Sequence, residues 1–99
     1  MKIIDHEPQT WFLAEESGNL YLDVSCSQGA VGYSFAIELS AQELAEYKDQ
    51  GRCYLNWLAE DIHNSVPGMI NSGSKYKDRR IAREFSERLD DAILNRQNN

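Results

Sequence analysis

Two adjacent segments of the chain alternate. Leu20, Leu22, Val24 and Cys26 fall on one side of an extended chain and Tyr21, Asp23 and Ser25 on the other; the next stretch sets Val31, Tyr33, Phe35, Ile37 and Leu39 against Gly32, Ser34, Ala36 and Glu38. Successive side chains of a strand point to opposite faces, so this period of two commits both segments to a sheet with one buried face. Ser27-Gln28-Gly29-Ala30 between them is turn material. An earlier apolar run, Trp11-Phe12-Leu13-Ala14, ends at Glu15-Glu16-Ser17-Gly18-Asn19, whose Gly and Asn tolerate the positive φ of a tight hairpin. Three consecutive strands at about 10–15, 20–26 and 31–39 predict an antiparallel meander.

The period then changes. Ser40-Ala41-Gln42-Glu43 is a capping box, in which the Ser40 hydroxyl accepts from the Glu43 N–H while the Glu43 carboxylate reaches back to the Ser40 N–H. It predicts a helix over 41–50 with Ala41, Leu44, Ala45 and Lys48 on one side, ended by Gly51. A second helix over 52–65 follows from Tyr54, Leu55, Leu58, Ala59 and Ile62, with Pro67-Gly68 closing it; Trp57 lies off that stripe, which predicts burial on a second side. Met69 to Gly73 reads as a loop, Ser74 as a cap, and Ile81, Phe85, Leu89, Ala92 and Ile93 as the apolar face of a third helix over about 75–95, with Glu84 and Arg88 spaced for an ion pair. The assembled expectation is one α+β domain over 1–99, a three-stranded antiparallel meander followed by two or three helices packed on one face. A single core would hold Phe35, Ile37, Leu44, Leu58, Ile62, Phe85 and Leu89.

Composition bounds the function classes. Ninety-nine residues suffice for one domain and not two. The longest apolar run, Trp11 to Ala14, falls far short of the roughly twenty residues a membrane span needs, and Asp5 interrupts the N-terminus before it can form a signal sequence, so the expected location is the cytoplasm without membrane association. Cys26 and Cys53 lack a Cys-x-x-Cys spacing and read as reduced, buried cysteines. The formal charge is −6, unevenly spread: residues 1–66 carry three basic side chains against eleven carboxylates, a net of −8, and residues 67–99 seven against five, a net of +2. The chain is an acidic body with a basic stretch, Lys75, Lys77, Arg79, Arg80 and Arg83.

No motif carries catalytic chemistry. Neither cysteine has a local signature pairing it with His6 or His63, the histidines are not spaced as metal ligands, and the contiguous acids Glu15-Glu16, Glu60-Asp61 and Asp90-Asp91 point in different directions. The expectation is therefore a protein that is not an enzyme and takes no cofactor or metal. Cations at the start of a helix oppose its macrodipole, which leaves two readings of the basic stretch: a phosphate-following surface, or partners of the acidic body, the second favoured by the overall charge.

The opening Lys2-Ile3-Ile4-Asp5, then Trp11-Phe12-Leu13, Leu20-Tyr21-Leu22-Asp23-Val24-Ser25-Cys26 and the capped helix from Ser40 through Tyr47 to Gly51 resemble small bacterial immunity proteins of contact-dependent growth inhibition and related polymorphic toxin systems. The resemblance spans Lys2 to about Ile62. It implies a cytoplasmic, non-enzymatic inhibitor that binds the C-terminal domain of a cognate toxin, often a nuclease, and blocks its active site. A nuclease must attract phosphates and tends to be basic, so an acidic inhibitor is steered to it. On this reading Glu43, Glu46, Asp49, Glu60 and Asp61 on the two consecutive helices face the toxin, with Tyr47 and Trp57 as aromatic anchors. The alternative is a small nucleic-acid-binding or regulatory module using Lys75 to Arg83.

Overall fold

A computed structural model of the chain describes residues 1–28, 31–65 and 73–97. Strands β1 (Lys2–Glu7), β2 (Trp11–Glu16), β3 (Asn19–Gln28) and β4 (Val31–Glu38) form one antiparallel sheet in chain order. Helices α1 (Ala41–Gln50) and α2 (Arg52–Ser65) follow, then a 3-10 turn (Lys77–Arg79) and α3 (Arg83–Gln97). The α+β meander is as expected, with one strand more. Alternation does not announce β1 because its register against β2 shifts between Ile3 and Asp5, an irregularity that breaks the period of two in a six-residue strand.

The turns follow from local chemistry. Glu16 pairs with Asn19, and the two residues between them, Ser17 (φ 54°) and Gly18 (φ 83°), both take positive φ, the turn whose twist matches the flanking strands. Ser17, not Asn19, shares the left-handed backbone with Gly18, and Asn19 already belongs to β3. Gln28 stands opposite Val31; Gly29 and Ala30 of the expected turn lie outside the described residues. The capping box forms: the Glu43 N–H donates to Ser40 Oγ at 3.2 Å and the Ser40 N–H to Glu43 Oε1 at 2.8 Å. At Gly51 (φ 67°, ψ −142°) the chain takes a corner open almost exclusively to glycine, and α2 starts at the next residue.

The sheet is covered on both faces, which corrects the expectation that all helices share one. On the first face Trp11, Leu13, Leu22, Val24, Phe35 and Ile37 pack against Leu55, Leu58, Ala59 and Ile62 of α2, with Leu44 and Tyr47 of α1 at the margin. Ala41 and Ala45 are exposed; α1 turns Glu43, Leu44 and Tyr47 inward instead. On the second face Ala14, Ala36 and Leu89 form a smaller cluster edged by Ile3, Ile81 and Ile93, and Phe85 stacks on Tyr21 with ring centroids 5.9 Å apart. Phe85 and Leu89 thus leave the core to which the sequence assigned them. The stripe on α3 is real, but an amphipathic stripe does not specify which side of a sheet it will cover.

Between the faces the chain crosses the edge of β4. The Arg79 guanidinium donates to the Glu38 carbonyl (3.1 Å), the Ile81 N–H to that of Ala36 (3.0 Å) and the Arg80 guanidinium to that of Ser34 (3.2 Å). Three alternate carbonyls along the outer edge are thereby satisfied, and the segment before α3 covers that stretch of it. This anchoring breaks the helix expected over 75–95: Arg80 is extended (φ −57°, ψ 132°), and α3 begins only at Arg83. Ser74 does not cap it; its hydroxyl accepts from the Tyr76 N–H at 3.1 Å. Arg88 pairs with Glu16 at 2.9 Å, not with Glu84, and Arg83 with Glu87 at 3.2 Å. Residues 66–72, which hold the expected Pro67-Gly68 stop and most of the loop from Met69, lie outside the described residues. Among the described residues no helix is long and apolar enough to cross a membrane.

Candidate partner-binding face

The outward surface of α1 and α2 is organised around Trp57. Its off-stripe position leads outward, not to a second buried side: the indole is 55% exposed, whereas Trp11, the other tryptophan, is fully buried. Three residues earlier on the same helix, Tyr54 stacks on it with centroids 5.8 Å apart, so the exposed indole is braced against a half-buried neighbour. Burial pushes the Tyr54 hydroxyl up, assisted by Glu43 and Glu46 nearby. Two grooves flank the indole. One, of about 390 Å³, is lined by Gln42, Glu46, Gln50, Tyr54 and Trp57; the other, of about 230 Å³, by Trp57, Glu60, Asp61 and Asn64. A rigid aromatic ridge between acid-rimmed grooves offers apolar contact area inside a negative field.

The residues singled out from sequence divide into two groups. Glu46, Trp57 and Glu60 line the grooves, Glu46 accepting a hydrogen bond from Gln50, and Asp49 is exposed on α1 without lining either groove. Glu43 and Asp61 are occupied by the fold. Glu43 is 8% exposed and ties α1 to the segment before α3: beyond its capping bonds it accepts from Arg79 Nη1 at 2.9 Å. Burial alone would raise its carboxyl, but the Arg79 guanidinium and the Ser40 N–H outweigh that and hold it below the ordinary range. Asp61 accepts from the hydroxyl of buried Tyr76 at 2.5 Å and pairs with Lys75 at 3.6 Å; burial first, and then Asp61, push the Tyr76 hydroxyl up. Tyr47 is partly buried against the core margin and lines neither groove beside Trp57. Sequence reasoning missed Tyr54, whose spacing of three from Trp57 was the available signal.

The basic stretch is largely committed to the body. Lys75 sits over the Tyr76 ring at 5.2 Å as well as beside Asp61, and Arg80 lies over Phe35 at 5.1 Å while capping the β4 edge. With Arg79 on Glu43, three of the five cations serve the acidic body and the sheet edge, and Arg83 pairs along its own helix. Burial pushes the Cys26 thiol up, away from the thiolate a nucleophile needs, whereas Cys53, expected to be buried, is exposed because its place in the first turn of α2 lies off the stripe of Leu55, Leu58 and Ile62. No group of three His, Cys, Asp or Glu able to hold a metal ion occurs among the described residues. Compared with family models, curated proteins and solved structures, the chain matches none.

Proposed function

We propose that this chain is an immunity protein that neutralises a basic toxin domain, with a nuclease as the partner class, by docking the Trp57 face of α1 and α2 over its active site in the cytoplasm. The observation that carries the reading is an exposed indole braced by Tyr54 between grooves that carry Glu46 and Glu60. A large aromatic desolvated at the centre of an interface supplies affinity, and the surrounding carboxylates supply orientation and association rate. The resemblance of the first two-thirds of the chain to immunity proteins supplies the class of partner. No chemical step is required of such an inhibitor.

The test is binding to the toxin domain encoded beside this gene, measured as association and dissociation rates over a range of salt. Glu46→Lys, Asp49→Lys and Glu60→Lys combined should slow association by about tenfold or more and abolish protection of cells, because like charges then face each other across the interface. Glu43 and Asp61 stay native in this variant, since both hold the fold together. Undiminished binding by a folded triple variant would displace the interface from this face. Tight, salt-sensitive binding of RNA or DNA in a gel shift would replace the reading with the nucleic-acid module.

A further inference from the structure

A third and larger pocket opens beside the Trp57 face, at the end of the sheet where the β1–β2 turn meets α2. It measures about 540 Å³, with Glu7, Thr10, Asn56 and Glu60 on its walls, Val24 and Ala59 contributing apolar surface, and His63 standing one turn beyond Glu60 on the same wall. The walls are held in place. Arg52 ties Glu7 to α2 at 2.6 Å, Asn56 Oδ1 accepts from the buried Trp11 indole N–H at 2.9 Å, and the Thr10 carbonyl accepts from the Ser25 N–H at 2.9 Å. Glu7 is therefore partly neutralised by Arg52, but Glu60 is in no ion pair among the described residues. Glu60 also lines the groove beside Trp57, so pocket and ridge form one continuous surface.

We propose that this pocket is a socket for an arginine side chain of the partner, an inference that rests on reading the chain as a partner-binding protein. The chemistry selects the guest. The Glu60 carboxylate and the Thr10 hydroxyl oxygen call for a donor-rich cation, since Arg52 holds Glu7 and the Trp11 indole holds Asn56 Oδ1, and the apolar surface suits a methylene stem or a flat, weakly hydrated guanidinium better than a compact ammonium. An arginine seated against Glu60 places its backbone within reach of a second partner residue lying on Trp57, three positions away on the same helix.

Two experiments separate the socket from the face. In the first, the 15N-labelled full chain is titrated with Nα-acetyl-arginine amide and with its uncharged isostere Nα-acetyl-citrulline amide, and amide shifts are followed by NMR. Arginine should move Thr10, Asn56 and Glu60 together and bind about tenfold more tightly than citrulline, a preference that Glu60→Gln removes. Equal shifts with citrulline, or arginine shifts that are spread over the surface carboxylates and survive Glu60→Gln, would overturn the socket. In the second, Thr10→Arg fills the mouth with a built-in guanidinium, and Trp57→Ala removes the ridge. Weaker toxin binding by both folded variants supports the socket. Loss in Trp57→Ala alone overturns the socket and leaves the face; loss in neither overturns both.

Discussion

The two faces of the sheet are built on different principles. The first buries Trp11, Leu13, Leu22, Val24, Phe35 and Ile37 under α2, with every large side chain in contact with others of its kind. The second offers α3 mainly Ala14, Ala36 and the ring of Tyr21, and places a carboxylate, Asp23, 9% exposed in the middle of the contact. Burial raises the Asp23 carboxyl to about 6, Asp90 on α3 adds to the shift, and Arg80 opposes it. Apolar area removed from water sets the scale of stabilisation, so the first face carries the fold and the second attaches a helix to it. The candidate partner surface is the outside of the strong layer. An interface that must stay rigid gains from standing on the better-packed side.

The largest effect should come from the strong face. Phe35→Ala is expected to cost about 3 to 5 kcal/mol in urea melts, against about 2 kcal/mol for Leu89→Ala on the weak face; equal costs would abolish the distinction. Native-state hydrogen exchange sharpens it, with α3 amides expected to open before those of α2. The next largest effect lies at the seam between the faces. Glu43→Ala keeps the Ser40 cap but removes the reciprocal half of the capping box, the bond from the Ser40 N–H to the Glu43 carboxylate, and leaves the Arg79 guanidinium without its carboxylate, an expected loss of about 2 to 3 kcal/mol.

The effect at Asp23 has the opposite sign. Unfolded Asp23 ionises near 3.8 and the folded group near about 6, so ionisation disfavours the folded state and its stability falls as pH rises through that window. Asp23→Asn should therefore be more stable than the native chain by up to about 3 kcal/mol at pH 7, the gap opening between 3.8 and 6 and level above. A gap that instead closes with rising pH would mean that Arg80 dominates the site.

The same comparison explains what the sequence could say. Strand alternation exposed the strong face because large apolar residues recur every second position in β3 and β4. It also held the hint of the weak face, since the alternates Tyr21, Asp23, Ser34 and Ala36 are small or polar, yet such residues read as solvent-facing until a helix is known to cover them. Where α3 docks depends on Arg79, Arg80 and Ile81 gripping the β4 edge, a set of long-range hydrogen bonds with no local periodicity. At the candidate site the residue types were legible, but their division was not. Glu43 and Glu46 look alike in a helical pattern, and only the arrival of Arg79 from a distant segment makes one a structural anchor and leaves the other at the surface.

The smallest expected change in stability is at Trp57, where alanine should alter the melt by about 0.5 kcal/mol or less because the indole is largely outside the core. Its proposed place in binding is read most directly by 19F NMR of the chain labelled with 5-fluorotryptophan, titrated with the unlabelled toxin domain proposed as its partner. The two tryptophans give two resonances, one from buried Trp11 and one from exposed Trp57. Complex formation is expected to shift the Trp57 resonance and protect it from solvent, while that of Trp11 is shielded from solvent in the free and bound chain alike. A complex that forms with the Trp57 resonance unmoved would contradict it.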